Sequence, residues 1–197
     1  NHLANKHNLK RYLEIGIQEP SQNFDKINCP YKIGVDPDPN SNATICITSD
    51  EFFKDADLMY MTNPPKRVMQ FDLIFLDGLH TAEQVKKDFE NALKVLSPNG
   101  FIVLHDCNPE KEEHTIVPRP TKTGHWNGDV FKFALFLTYN HSEWDRPYVV
   151  DIDNGCLVYS KKDHDCLNIL GFSCLSWEYF DTHRKELLNL ISYDEFI

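Results

Sequence analysis

Asp77 and His80 stand three residues apart, directly after the apolar run Leu73-Ile74-Phe75-Leu76. His105-Asp106 closes a second apolar run, Phe101-Ile102-Val103-Leu104, so that two acids 29 positions apart each follow a strand-like segment. A turn after a buried strand uses a glycine, here Gly78, and accepts an aspartate; it has no need of a histidine or of a second acid. Two carboxylates and an imidazole can hold a hard divalent cation, or poise a general base near neutral pH. Each group also has an ordinary structural reading: a histidine at a helix start bonds locally, and strand ends often carry aspartate. A further acid, Asp36, ends Tyr31-Lys32-Ile33-Gly34-Val35, 20 residues after the turn glycine of Glu14-Ile15-Gly16. That spacing suits a carboxylate gripping ribose hydroxyls.

The elements that must position these residues follow from pattern. Residues 12–17, 31–36, 44–47, 71–77 and 101–104 read as strands. Only about Ser21 to Ile27 is left for a helix between the first two. Thr48 and Glu51 have capping-box spacing before a short helix through Phe52 and Phe53, and Thr81 and Gln84 repeat it. Val85, Phe89, Ala92 and Leu96 then recur at helical intervals until Ser97-Pro98-Asn99-Gly100. Val130 to Tyr139 is an apolar helix, Ser176 to Ile191 an amphipathic one. Tyr148–Ile152 and Cys156–Tyr159 flank Asp153-Asn154-Gly155 as a hairpin. Strands alternating with helices give an α/β fold: a Rossmann-like, mostly parallel seven-stranded sheet with helices on both faces and an antiparallel closing hairpin that supplies an edge strand. Ligands of such sheets bind beyond the carboxyl ends of the strands.

At 197 residues the chain is expected to form a single domain, residues 1–197. Thirty acidic against twenty basic side chains leave a net charge of −10, which argues against nucleic acid or an anionic membrane surface as partner. Six cysteines without metal-finger or paired spacing read as reduced thiols and a cytoplasmic location. Nothing approaches the ~20 apolar residues of a membrane span. The stretch 108–127 contains Lys111, His114, Arg119, Lys122, His125 and Trp126, and reads as a lid that orders over the site.

Leu13-Glu14-Ile15-Gly16, Gly34-Val35-Asp36, Phe71 to His80 and Gly100 to Asp106, in this order, resemble the class I S-adenosylmethionine-dependent methyltransferases over roughly residues 10–160. FLDGLH and LHDCN are most similar to the small-molecule O-methyltransferases of the catechol and macrocin-like sugar types. The resemblance implies S-adenosylmethionine as cofactor. Glu14 and Gly16 would lie against its methionine part, Asp36 on the ribose, Ser49 and Asp50 at the adenine, with Asp77 also in the cofactor site. In the catechol type, an acid after strand four and an acid-amide pair after strand five hold magnesium, and a lysine three residues after the first acid is the base. Here Asp77 and Asp106 match the acids as tentative metal ligands, Cys107 stands at the amide position with Asn108 following, and His80 replaces the lysine. A thiol does not suit magnesium. The implied Mg2+ site is therefore incomplete, completed by Asn108 or water, or absent. Pro20 also stands where a second turn glycine is usual.

Two function classes remain: a methyltransferase acting on a hydroxyl of a small-molecule or glycan acceptor, with His80, Asp106 and Asp77 catalytic, and a non-catalytic binder of S-adenosylmethionine or another nucleotide on the same fold. A nicotinamide oxidoreductase is weaker, because the full glycine fingerprint is missing. The oligomeric state is open, a homodimer included.

Overall fold

The computed structural model of the protein describes residues 1–60, 69–121, 124–139, 146–160 and 175–197. The order is α1 (His2–Lys6), β1 (Arg11–Ile15), β2 (Tyr31–Val35), α2 (Ser49–Tyr60), β3 (Phe71–Leu76), α3 (Ala82–Val95), β4 (Leu96–Leu104), α4 (Val130–Tyr139), β5 (Tyr148–Val150), β6 (Cys156–Ser160), α5 (Trp177–Leu187), β7 (Leu190–Ile191) and α6 (Tyr193–Phe196). The strands form a seven-stranded sheet in the order β2-β1-β3-β4-β6-β5-β7, parallel for the most part, with β6 reversed. The chain divides into two compact units, Asn1–Leu79 with Lys87–Ile102, and His80–Lys86 with Val103–Ile197.

In the first unit β1 lies between β2 and β3, parallel to both. From Tyr12 to Ile15 its residues are buried, Leu13 completely, so both faces of the strand are covered and no polar alternation marks it. The register pairs Ile15 with Val35 on one side and with Leu76 on the other. The three strands thus stop level, and the next residues, Gly16, Asp36 and Asp77, stand in a row along one edge. Asp72 pins the opposite end, accepting the backbone N–H groups of Lys10 and Arg11 at 3.1 Å each. Thr48 and Glu51 form the expected reciprocal cap of α2. On α3, Val85, Phe89 and Ala92 are buried, as their spacing predicts.

In the second unit α4 carries the core, with Val130, Phe131, Phe133, Ala134, Phe136 and Leu137 all buried. Phe131 meets Phe180 of α5 with ring centroids 4.7 Å apart. The β5–β6 hairpin turns through Asp153, Asn154 and Gly155, all at positive φ (47°, 61° and 84°).

Several expectations are corrected. Residues 44–47 make only an isolated bridge, Ile45 to Val35; the next ladder donor of β2, Gly34 N–H, is taken by the Thr44 hydroxyl instead of a backbone carbonyl. Between β1 and β2 there is a single 3-10 turn, Phe24–Lys26, and no α-helix. Strand pairing of β4 starts at Leu96, not Phe101. A Cβ on Gly100 would still come within 2.6 Å of Leu96 Cδ1, an approach impossible across four extended residues, so the chain bends here within the strand. The final helix ends at Leu187, because Asn189 adopts φ 49° and the chain leaves as β7. The hairpin does not form the edge: β7 covers β5. Lys122, Cys166 and Cys174 lie outside the described residues.

Candidate active site

The first unit supplies a row of polar groups at its strand ends. Glu14 is 2% exposed and accepts the Tyr12 hydroxyl at 2.5 Å and the Asn23 amide at 3.1 Å. Tyr12 and Glu14 share a face of β1 because side chains repeat every second residue. Burial pushes the Glu14 carboxyl up to about 7, against the hydrogen bonds that favour its charge. Burial, then the adjacent Glu14, also pushes the Tyr12 phenol well above its ordinary range.

Gly16 has φ +86°, and a Cβ there would lie 2.0 Å from the backbone oxygen of Asp77. No other residue fits this turn. Asp36 closes it: one carboxylate oxygen accepts the N–H groups of Ile17 and Gln18, both at 3.0 Å, and the other accepts Asp38 N–H at 2.8 Å. Of roughly four acceptor positions on a carboxylate, three are used by the backbone. Ser49 and Asp50 open α2, the first half-buried and the second exposed.

The second unit holds a denser constellation. Asp106 sits at φ 60°, a left-handed conformation that aspartate tolerates better than most residues and that turns its side chain off the line of β4. Its neighbours are gripped by the hairpin tip: Cys107 N–H donates to Gly155 O at 3.0 Å and Asn108 N–H to Asn154 O at 2.7 Å. Asp106 Oδ2 lies 2.8 Å from His80 Nδ1, and Oδ1 lies 3.5 Å from His105 Nδ1. Burial opposes the charge of Asp106, but the hydrogen bonds and charges of His105 and His80 outweigh it and hold the carboxyl well below the usual carboxylate range. His105 Nε2 in turn faces Asp153 Oδ2 at 3.3 Å.

The residues after Asp106 do not supply the implied amide ligand. Cys107 is fully buried with its thiol pushed up by burial, and its sulfur points to the Leu104 and His105 carbonyls. Asn108 is engaged at both ends, donating to Asp151 at 3.0 Å and accepting from Arg184 at 2.8 Å. The amide beside Asp106 is that of Asn127, 1% exposed, whose Nδ2 donates to Asp106 Oδ1. Nothing but an Asn-Gly dipeptide marks this residue in the sequence, and that pattern ordinarily signals a turn. Trp126 is similarly placed: its ring is stacked on His80, 8° from parallel with centroids 5.3 Å apart, and Arg119 lies over the same ring. The loop is also tied by Trp126 Nε1–H to Ile116 O at 2.7 Å.

Residues 31–107 match the sequence model of a methyltransferase domain, a span that runs from β2 to the residue after Asp106 and includes Asp36 and Asp77. The fold is shared with an O-methyltransferase from Bacillus cereus in complex with SAH, at 12% identity and a TM-score of 0.51 over 79% of this chain and 75% of that one. Residues 31–107 thus carry the sequence pattern of a methyltransferase domain, within a fold shared with an O-methyltransferase.

Other similar structures are more distant. The O-methyltransferase TomG from Streptomyces achromogenes, in complex with SAM, is 16% identical with a TM-score of 0.47 over 79% of this chain and 74% of TomG. MycE of the mycinamycin biosynthetic pathway, in complex with Mg, SAH and mycinamycin VI, is 18% identical with a TM-score of 0.49. The alignment with MycE takes in 85% of this chain but only 50% of MycE, so the chain spans about half of MycE's length. No curated protein matches the sequence. No helix among the described residues is long and apolar enough to cross a membrane.

Proposed function

We propose that the chain, acting as one methyltransferase domain, transfers a methyl group to a hydroxyl of a sugar or another small metabolite. The observation that carries this reading is the His80–Asp106 pair, Nδ1 to Oδ2 at 2.8 Å. S-adenosylmethionine, when bound, supplies a methyl on a sulfonium that an oxygen displaces in line. A hydroxyl is a poor nucleophile until it loses its proton, and the chain's task is to remove it. His80 takes that proton and Asp106, held ionised, stabilises the imidazolium; a positioned base contributes on the order of 10²–10⁴ in rate. Asp36 and Gly16 shape the turn against which the ribose and methionine parts lie, with Glu14 below it and Ser49 and Asp50 toward the adenine.

A divalent cation is a second reading, favoured by the buried amide oxygen of Asn127, which has no hydrogen-bond partner among the described residues. Carboxylate and amide oxygens are the hard donors that Mg2+ takes. Asp77, Asp106 and Asn127 would hold it, and there it would favour the alkoxide form of the acceptor. We further propose a cytoplasmic location and no nucleic-acid partner, supported by the acidic net charge of −10 and the absence of paired cysteine spacing.

Calorimetric titration with S-adenosylmethionine and, separately, with NAD identifies the cofactor. A methyl-release assay on a panel of glycans and small hydroxylated metabolites then tests turnover. Binding without methyl release on any acceptor would leave a cofactor-binding protein in place of the enzyme.

A further inference from the structure

Arg119, an exposed residue of the loop between β4 and α4, is held in place without being neutralised. Its guanidinium lies over the Trp126 ring, 5.3 Å from the centroid, and Nη2 donates to Gly124 O at 3.0 Å. The other described arginines are committed to the fold. Arg11 pairs with Asp72, and Arg184 donates to Asp181, Asn108 and the Pro109 carbonyl. Arg146 donates to the carbonyls of Thr138, Glu186 and Leu187. Arg119 has one carbonyl and no carboxylate among the described residues, in a chain with thirty acidic side chains. A guanidinium carries five N–H donors on a rigid fork, so one bond made leaves an edge for a further acceptor.

We propose that Arg119 recognises an anionic group, a carboxylate or a phosphate, on the molecule whose hydroxyl is methylated; this rests on the reading that the hydroxyl meets His80. The two side chains share one support. The Trp126 ring is stacked on His80 with centroids 5.3 Å apart, so the guanidinium centre is no farther from the imidazole centre than twice that distance. All three groups belong to the second unit. One sugar ring with an exocyclic acid spans such a gap, once a contact distance is allowed at each end. The support is itself fixed: Trp126 Nε1–H donates to Ile116 O at 2.7 Å, and the Trp126 carbonyl lies 3.1 Å from His80 Nδ1. Gly128 has φ +61°, and a Cβ there would fall 1.7 Å from the His80 backbone oxygen, so the loop and the turn that carries His80 are in backbone contact. A guanidinium already stacked and braced loses little freedom on binding, and its planar fork matches a carboxylate or phosphate bidentately. The net charge of −10 repels anions at long range, so an anionic acceptor needs a local cation of this kind.

The test is proton–nitrogen-15 NMR of the Arg119 Nε–H and Trp126 Nε1–H groups in the full chain with S-adenosylhomocysteine present, titrated with glucuronate, glucose 6-phosphate and glucose. At least one anion is expected to shift both signals saturably, and glucose is not; which anion does so separates a carboxylate from a phosphate. Arg119→Gln is expected to abolish the response at Trp126. Turnover is read alongside on matched acceptors with and without the anionic group. There Arg119→Gln is expected to raise KM for the acidic acceptors about tenfold and to leave KM for the cofactor within about twofold, with Arg119→Lys falling between variant and parent. Silence of both signals toward both anions overturns the proposal. So do neutral acceptors methylated as well as their acidic counterparts, or an Arg119→Gln variant with the parent's KM for the acidic ones. Saturable anion binding at Arg119 with no methyl release from any acceptor would instead refute the methyl-transfer reading and leave the anion site standing.

Discussion

Glu14, a residue only 2% exposed, accepts a hydrogen bond from the hydroxyl of Tyr12, two residues back on the same strand, at 2.5 Å. Burial keeps this carboxyl protonated where most would be charged, raising it to about 7 from an ordinary 4.5 against the hydrogen bonds of Tyr12 and Asn23. The folded chain therefore binds more protons than the unfolded one between those two values, and stability falls as pH rises through that window before levelling off above 7. Glu14→Gln is expected to flatten the slope and, at pH 8, to be more stable than the parent by up to about 3 kcal/mol. Urea unfolding at several pH values measures it; an unchanged slope would show that Glu14 is not the group responsible.

Asp106 acts in the opposite sense. Its folded value is depressed, so its contribution to stability is complete above its ordinary value of 3.8 and is lost as pH falls below that. Asp106→Asn is expected to remove this acid-side loss while lowering turnover. Thermal melts between pH 2 and 6, compared with the parent, show whether the acid limb is shallower.

Asp36→Ala strands two backbone donors in the turn after β1 and one after β2, and removes the carboxylate proposed to accept from the ribose. Bonds to a charged group are worth about 1.5–3 kcal/mol, and S-adenosylmethionine binding is expected to weaken by that order. Calorimetry decides: equal affinity in the variant would remove Asp36 from the cofactor site.

The base and the cation are separable. If His80 acts alone, chelator leaves activity intact and His80→Gln costs about 10²–10⁴ in turnover. If a metal is required, chelator abolishes activity and magnesium or manganese restores it. Activity that survives chelator, His80→Gln and Asp106→Asn would reduce the constellation to a turn.

Gly16→Ala places a methyl 2.0 Å from the Asp77 backbone oxygen at φ +86°. The conformation alone costs on the order of 1–2 kcal/mol, and the clash adds to it. A melting temperature within a degree of the parent would show that the turn can relax.

Much of this was legible because strand ends announce themselves. The apolar runs before Gly16, Asp36, Asp77 and Asp106 stop at turn residues, and parallel pairing sets the first three of those stops level. The seven strands expected are not the seven found: Thr44–Ile47 contributes a bridge only, while Leu190–Ile191, hidden inside an apparently helical pattern, is a strand. A period-3.6 pattern cannot reveal where Asn189 turns left-handed. The expected cluster of His80 and Asp106 is present, but Asn127 was invisible, since its role depends on a fold-back through His114 that no local spacing encodes. The segment expected as a lid contains the 3-10 turn Glu112–Thr115, and Arg184 holds its start through Asn108 and Pro109.

The outermost strands have a bearing on how copies of this chain meet one another. β7 is two residues long and runs at once into α6, which is closed by the reciprocal cap of Ser192 and Glu195. On β2, the outward amide of Gly34 is already taken by Thr44, and the Gly34 carbonyl by Ile45 N–H. A strand arriving from another molecule finds few consecutive ladder positions at either margin, and short or covered margins are how sheet proteins avoid joining edge to edge. Crowded solutions of this protein should therefore resist fibrous growth by sheet extension.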